Sequence, residues 1–487
     1  MKGFGKQHKS KKKTPKQEQI INQAINFHKE GNILEAEKYY QYCIQNDFND
    51  NRVYCNYGVI LQSFGKLQDA ELLFRKAIEI NPDCAQSNFN LGNILKDLGK
   101  LQDAELSFRK AIEINPDFAE AHSNLGNILK DLGKLQDAEL SFRKAIEINP
   151  DFAMAYYSLS LLKYSDENKI LMNQILSKNN LKKKSKKDQI FFYFAKANIL
   201  HNEKMYEDSS KVLELANQLK LSINSYKIES LINQSKVLLL ESNEQKILQK
   251  ENKDSPESIF IVGMPRSGST LLESILSMSD DVYDLGEINI LEESFIECKQ
   301  SKGDVYLAEL YEEKVNKLTE LNISTNKWLY NYQYVGIIAK QIPNAKIIHC
   351  FRHPLDNILS IYRTHFSEGN KYSTSLVDCA KVYLDQEEIM TEYKSRFRSK
   401  IYDYNYEKLV KNPKKEIKSL ISWLGWKWDD KYLSPHLNSR SVSTASNIQV
   451  RSQINANSIG GWKNYKEMLK PAIEILTQND KYQDIEF

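Results

Sequence analysis

LGNILKDLGKLQDAELSFRKAIEINPDFA stands at residues 91–119 and again, letter for letter, at 125–153, an offset of 34 residues. The same offset carries Gly31 to Gly65, Gly99 and Gly133, Ala36 to Ala70, Ala104 and Ala138, and Pro82 to Pro116 and Pro150. Within the unit, Gly92 and Ala104 fall where two helices approach closely, and a larger side chain would push them apart. Phe108 and Ala111 share a core face at i, i+3 spacing, while Lys96, Asp97, Lys110 and Glu113 fall on the solvent side. Asn115-Pro116-Asp117 stops the second helix and starts the next unit. Helix pairs recurring at a fixed period stack into an α-solenoid.

A 34-residue period with small residues at the helix crossing and a closing proline resembles the tetratricopeptide repeat. Four repeats fit, at 17–50, 51–84, 85–118 and 119–152, the first with Tyr40 and Cys43 at the Phe and Ala positions. Over 153–248 the pattern fades through LLKYSDENKILMNQIL and a lysine-rich connection. It returns in part as FAKANILHNEKMYEDSSKVLELAN (194–217), a degenerate hairpin with Ser209 and Ala216 in the small positions. QKENKDSP (249–256) reads as a linker. Everything before it reads as solenoid, whose concave groove suits a polypeptide acceptor or an adaptor. The seven lysines within residues 2–16 give residues 1–16 the character of a disordered, solubilising tail.

The whole chain has 487 residues, enough for two or three domains. Apolar residues make up 41 % and charged residues 27 %, an ordinary globular balance. Lys plus Arg number 67 against 64 for Asp plus Glu, too even for a dedicated nucleic-acid binder. No apolar run approaches the roughly 18 residues of a membrane span, and the basic start lacks the apolar core of a signal peptide. Six scattered cysteines without a CxxC read as reduced thiols, so a cytoplasmic protein is expected. A homodimer is left open.

From Glu257 the pattern changes. SIFIVG (258–263), AKIIHCF (345–351) and KIYDYNYE (400–407) read as buried strands. SGSTLLESILSM, PLDNILSIYRTHF and KKEIKSLISWLGW read as the helices after them. The expectation for 257–487 is therefore an α/β domain with a mostly parallel sheet. GMPRSGST (263–270) joins the first strand to its helix, with Gly263 and Gly268 in the GxxxxG spacing of a phosphate-cradling loop. Ser269 replaces the lysine that a kinase or ATPase needs there, and Arg266 is the loop's only cation. Farther on, Arg352 at a strand end can grip a phosphate, and Ser360 and Arg363 are three residues apart on one helix face.

PRSGST after a buried strand resembles the 5′-phosphosulfate loop of sulfotransferases that use 3′-phosphoadenosine 5′-phosphosulfate (PAPS). The similarity is closest to tyrosylprotein sulfotransferases and to bacterial sulfotransferases with tetratricopeptide repeats. The resemblance implies that Arg266, Ser267, Gly268, Ser269 and Thr270 hold the 5′-phosphosulfate, and that Arg352, Ser360 and Arg363 hold the 3′-phosphate. In DLGEI, Glu287 matches the family's catalytic base. In TNKWLYNYQYVGII, Lys327 matches the lysine that stabilises the leaving oxygen, with Asn326 and Leu329 as departures. TASNIQVRSQINANSIGGW (444–462) resembles the loop over the cofactor, which implies Ser446 near the sulfuryl group and Arg451 near the nucleotide; Gly461 stands where a lysine is common. Tyr406 matches a tyrosine beside the nucleotide phosphate. PAPS is the implied co-substrate, and such transfer requires no metal.

His349 and His353 flank Cys350, but a strand-to-turn junction would scatter them, and Trp423, Trp426 and Trp428 read as core. The function these residues point to is transfer of a sulfuryl group from PAPS to an acceptor hydroxyl, with a polypeptide tyrosine preferred. A carbohydrate or small-molecule acceptor, a P-loop kinase and a non-catalytic scaffold are the alternatives. The missing lysine opposes the kinase, and the retained Arg266, Glu287, Lys327, Arg352 and Ser360 oppose the scaffold.

Overall fold

The computed structural model describes residues 14–162, 181–245, 256–301, 305–366, 369–438 and 440–485. Residues 1–13 of the expected tail, the fading stretch at 163–180 and residues 249–255 of the expected linker lie outside the described residues. The chain divides into two compact units, Met1–Ala155 and Tyr156–Phe487.

The first unit is built of helix pairs: α1 (Pro15–Lys29) with α2 (Ile33–Gln45), α3 (Asn51–Ser63) with α4 (Leu67–Ile80), α5 (Ala85–Asp97) with α6 (Leu101–Ile114), and α7 (Ala119–Asp131) with α8 (Leu135–Ile148). Gly65, Gly99 and Gly133 turn the chain between the members of a pair at φ of 73°, 75° and 79°, which L-residues with a side chain seldom adopt. The small residue on each first helix admits an aromatic ring from the second. A Cβ on Gly58, Gly92 or Gly126 would lie 2.8, 2.7 or 2.6 Å from the ring of Phe74, Phe108 or Phe142. Those rings are fully buried, each contributing about 1.5–3 kcal/mol of burial free energy. Successive pairs are also joined by charge: Lys100 Nζ lies 2.7 Å from Glu71, and Lys134 Nζ lies 2.7 Å from Glu105.

The second unit opens within α9 (Ala153–Leu161) and continues through α10 (Lys186–Asn202), α11 (Tyr206–Ile223) and α12 (Ile228–Glu244). The sequence pattern assigns this stretch to the solenoid, but its side chains are spent elsewhere. Ile190, Phe194, Ala197, Leu213, Ala216 and Ile228 share one core with Leu355, Ile358, Tyr383, Leu469 and Ile473 of the α/β body. Leu238 of α12 joins Phe260, Val335, Ile338 and Tyr393 in another. Helical periodicity marks an apolar face and is silent about what covers it.

The body holds a five-stranded, all-parallel sheet of order β2-β3-β1-β4-β5. The strands are β1 (Glu257–Gly263), β2 (Val282–Asp284), β3 (Ile323–Asn326), β4 (Ala345–Phe351) and β5 (Ile401–Asn405). Its helices are α13 (Ser269–Leu276), α14 (Ile290–Gln300), α15 (Leu307–Asn316), α16 (Val335–Gln341), α17 (Pro354–Tyr362), α18 (Leu376–Phe397), α19 (Tyr406–Lys411), α20 (Pro413–Leu424) and α21 (Lys466–Leu476). Alternate residues of β1 feed two cores: Phe260 and Val262 face Leu291, Val335 and Ile338, while Ile259 and Ile261 face Leu272, Leu420 and Ile421. Both faces of the sheet are covered, as parallel strands require. Because all five strands run the same way, the loops after them emerge at one edge, where open α/β sheets bind ligands.

Candidate active site

Each candidate residue follows a strand at that edge or packs on a loop that does. β1 ends at Gly263, where φ is 139° and a Cβ would sit 2.1 Å from the Cys350 carbonyl oxygen; only glycine fits. The loop then turns through Arg266, whose φ is 66°, and enters α13 at Gly268, φ 96°. A Cβ on Gly268 would come within 2.6 Å of the Tyr406 ring. Asn357, fully buried on α17, holds the loop by donating to the Pro265 carbonyl at 2.8 Å.

The Arg266 guanidinium is divided among three partners, none of them a carboxylate. Nε donates to Ser360 Oγ at 3.0 Å, Nη1 donates to Ser446 Oγ, and Nη2 donates to Gln449 Oε1 at 2.8 Å. Burial, then repulsion from Arg352 and Arg363, pushes its pKa down to about 10. Two further cations acting on Arg266 favour an anion beside it. Among the described residues, Ser267 Oγ, on a residue 1 % exposed, has no hydrogen-bond partner, and Arg352 Nε, on a residue 8 % exposed, makes no hydrogen bond but faces Glu407 Oε1 at 4.0 Å. With the amides at the start of α13, these are donors fitted to an oxyanion.

Arg352, just past β4, lies with its guanidinium 4.9 Å from the Tyr406 ring centroid. It donates to the Arg266 carbonyl at 3.3 Å and to the Ser458 carbonyl. Asp356 holds the late loop by accepting from Gly460 N at 2.6 Å and Trp462 N at 3.0 Å; Gly461 lies between them. Thr270 and Thr444 hydroxyls meet at 3.1 Å, tying that loop to α13.

A second cluster lies at the ends of β2 and β3. Lys327, wholly buried, is 2.6 Å from Glu287 Oε1 and 3.8 Å from Glu273 Oε2. The Lys327 amide donates to the Gly286 carbonyl at 2.9 Å, fixing the two loops together. Asn326 accepts from Trp328 N and from Asn331 Nδ2, shaping the turn that carries Lys327. Glu273 also accepts from Arg440 Nη2 at 3.2 Å, and Arg440 reaches Asp284 through its other arm. Burial first, then Glu273, raises the Asp284 carboxyl against the opposing pull of Arg440. Glu287 is the open end of this chain of charges, its side chain 44 % exposed.

The structure thus joins Arg266 with Ser360 and Ser446, Arg352 with Tyr406, and Lys327 with Glu287. Arg363 and Arg451 form their hydrogen bonds elsewhere: Arg363 Nη1 meets His201 Nε2 at 3.1 Å, and Arg451 donates to the Asn438 and Arg440 carbonyls. His349 and His353 diverge, the first meeting Gln386 and the second stacking on Trp462. Glu273, Gln449, Asn357 and Arg440 escape sequence reasoning. Glu273 lies on the same helix as Ser269 and Thr270, the one signal that could have found it.

The comparisons agree with this division. The model described as Sulfotransferase family matches residues 256–309 and 297–430. Tetratricopeptide repeat models match 52–84 and 119–152, among other stretches. An uncharacterized protein of Aquifex aeolicus is 30 % identical over 321 residues, covering 59 % of this chain and 42 % of its own length. Protein-tyrosine sulfotransferase 1 of Danio rerio is 26 % identical over 204 residues, covering 37 % of this chain and 56 % of its own. The chain therefore spans about half the length of these relatives. A crystal structure of MamA, 24 % identical, overlaps 31 % of this chain and 86 % of that one, with a TM-score of 0.28. Its two matched parts thus resemble a domain of the sulfotransferase family, from residue 256, and tetratricopeptide repeats before it.

Proposed function

We propose that this chain transfers the sulfuryl group of PAPS to an acceptor hydroxyl, preferentially a tyrosine in a polypeptide that the repeats recruit. The observation that carries the reading is the glycine-shaped loop at the start of α13, where Arg266 has Arg352 and Arg363 for neighbours and Ser267 Oγ is buried with no hydrogen-bond partner among the described residues. Ser269 in the usual lysine position turns the loop away from nucleoside-triphosphate chemistry.

Each residue then has a task. Gly268, Ser269 and Thr270 present helix-start amides, and Ser267 and Arg266 face the sulfuryl end, with Ser446 fixing Arg266. Arg352, Ser360 and Arg363 take the 3′-phosphate, with Tyr406 beneath Arg352; Arg451 holds the Asn438 and Arg440 carbonyls beside the nucleotide. A neutral SO3 unit leaves the bridging oxygen and bonds to the acceptor oxygen in line. Glu287 removes the acceptor proton, and Lys327 neutralises the charge left on the bridging oxygen. The phenol's ordinary pKa of about 10 makes such a base useful at neutral pH. Glu273 behind Lys327 keeps that buried cation paired throughout.

Calorimetry of the whole chain with 3′,5′-adenosine bisphosphate and with ATP tests the nucleotide, and transfer of labelled sulfate to a tyrosine peptide tests the acceptor. Tight bisphosphate binding with weak ATP binding is the expected result. Equal affinity for the two would overturn it.

A further inference from the structure

His201, on the degenerate hairpin that the sequence pattern assigns to the solenoid, faces Arg363 of the α/β body. The hydrogen bonds have one consistent direction. Arg363 can only donate, so His201 Nε2 must accept its Nη1–H at 3.1 Å. The proton then sits on Nδ1, which donates to Tyr465 Oη at 2.8 Å. Tyr465 passes its own hydrogen to Ser209 Oγ at 3.1 Å, and Ser209 donates to the Ala197 carbonyl at 2.9 Å. The Tyr465 ring also lies under the guanidinium, 5.6 Å from Arg363 Cζ, and stacks with His201 at 5.8 Å. Burial, and then the facing arginine, pushes His201 down to about 3, so the imidazole is neutral and its Nε2 lone pair stays available. Among the described residues the guanidinium makes no other hydrogen bond, which leaves its remaining N–H groups for a ligand.

An arginine that binds a phosphate is useful only when its fork is aimed beforehand, because ordering a long side chain costs rotamer freedom at each binding event. Here one edge is fixed by a neutral acceptor that withdraws no charge. A carboxylate in the same place would cancel the cation. We propose that His201, held by Tyr465 and Ser209, is a positioning residue that aims Arg363 at the 3′-phosphate of the nucleotide. The α10–α11 hairpin thereby becomes part of the nucleotide site. This inference rests on the nucleotide reading above.

The test is calorimetry of the full chain with 3′,5′-adenosine bisphosphate and with adenosine 5′-monophosphate, which lacks the 3′-phosphate. Arg363→Ala should weaken the bisphosphate by roughly tenfold or more, as loss of a charge-assisted contact does, and leave the monophosphate unchanged. His201→Phe should do the same to a lesser degree, His201→Gln should restore affinity through its amide oxygen, and adding His201→Phe to Arg363→Ala should cost nothing further. Tyr465→Phe, which keeps the ring and loses the hydroxyl, is the milder variant should His201→Phe fold poorly, and it should weaken the bisphosphate alone. If Arg363→Ala discriminates the two nucleotides and both His201→Phe and Tyr465→Phe bind like wild type, the positioning role falls. Equal weakening of both nucleotides by those two variants would show a structural role and also overturn it. If Arg363→Ala itself fails to discriminate, the nucleotide reading falls and takes this inference with it.

Discussion

The repeats and the α/β body are held together in opposite ways. In the repeats the joints are local and the charged ones are copied: Lys100 reaches Glu71, and Lys134 reaches Glu105, each across 29 residues. In the body the joints are long and single: Arg266 meets Ser446 across 180 residues, Arg440 meets Glu273 across 167, and Arg363 meets His201 across 162. Copied joints make stability nearly a sum over neighbours, so a lesion stays near its repeat. Converging joints make one site depend on many distant segments. The molecule thus separates a tolerant surface from an exacting one.

The sharpest way to break this contrast is to cut at its two candidate seams. Deleting residues 1–152 should leave nucleotide binding intact while slowing sulfation of a long polypeptide. Deleting 1–245 should abolish nucleotide binding. That second cut strips Ile190, Phe194, Leu213 and Ile228 from the body's core. At about 1.5–3 kcal/mol each their loss rivals the whole stability of a domain, about 5–15 kcal/mol. Circular dichroism and bisphosphate calorimetry on both truncations check it. A folded, binding-competent 246–487 fragment would return the hairpin to the solenoid.

Next in size is the base. Glu287→Gln keeps the contact to Lys327 but cannot take a proton, so single-turnover transfer at saturating PAPS should fall by about 10²–10⁴-fold with nucleotide affinity unchanged. Asp284→Asn should cost much less turnover, since Asp284 is joined to the site by an ion pair with Arg440 and not by contact with Lys327 or Glu287 among the described residues. A larger loss in Asp284→Asn would move the base.

How far these residues were legible in the sequence follows from the same contrast. The repeats were legible because each joint recurs; Gly92 and Phe108 announce themselves by returning at Gly126 and Phe142. Strands β1 and β4 were legible as apolar runs, whereas β3, with Ser324, Thr325 and Asn326, has no apolar run and is a strand only because β1 and β2 flank it. Glu287, Lys327, Arg352 and Ser360 could be picked by family resemblance. Glu273, Arg440 and His201 could not, because their meaning lies in partners more than 50 residues away, which spacing does not encode.

A paired substitution sharpens the contrast at a few kcal/mol. Phe108→Ala opens a cavity beneath Gly92 and should destabilise the repeats by about 3–5 kcal/mol without changing bisphosphate affinity. Arg352→Ala should do the reverse, costing about 1.5–3 kcal/mol of bisphosphate binding by loss of a charge-assisted contact. Thermal unfolding and calorimetry on both variants give the cross-comparison. Coupled losses in either variant would show that the two units are not independent.

The smallest effect tests whether the repeats truly add. Burial alone would raise the Glu105 carboxyl, but the hydrogen bonds from Lys134 and Arg109 outweigh it and hold the group below its ordinary value. Glu71, between Lys100 and Arg75, is lowered in the same way. A carboxyl whose folded pKa is depressed contributes stability that is present above its unfolded pKa, about 4.3, and is lost as pH falls through the folded value. The partners are half-exposed, so each joint is worth at most about 1 kcal/mol at neutral pH. Glu105→Gln and Glu71→Gln should each lower stability by about that much at pH 7, with the difference from wild type shrinking below about pH 4 and in 1 M salt. Their effects should add in the double variant, because the two joints share no residue and sit one repeat apart. Denaturant titration of the four proteins at pH 7 and pH 3.5 reads both points. A double variant much less stable than the sum would mean that the copied joints cooperate and that the repeats share the convergence of the body.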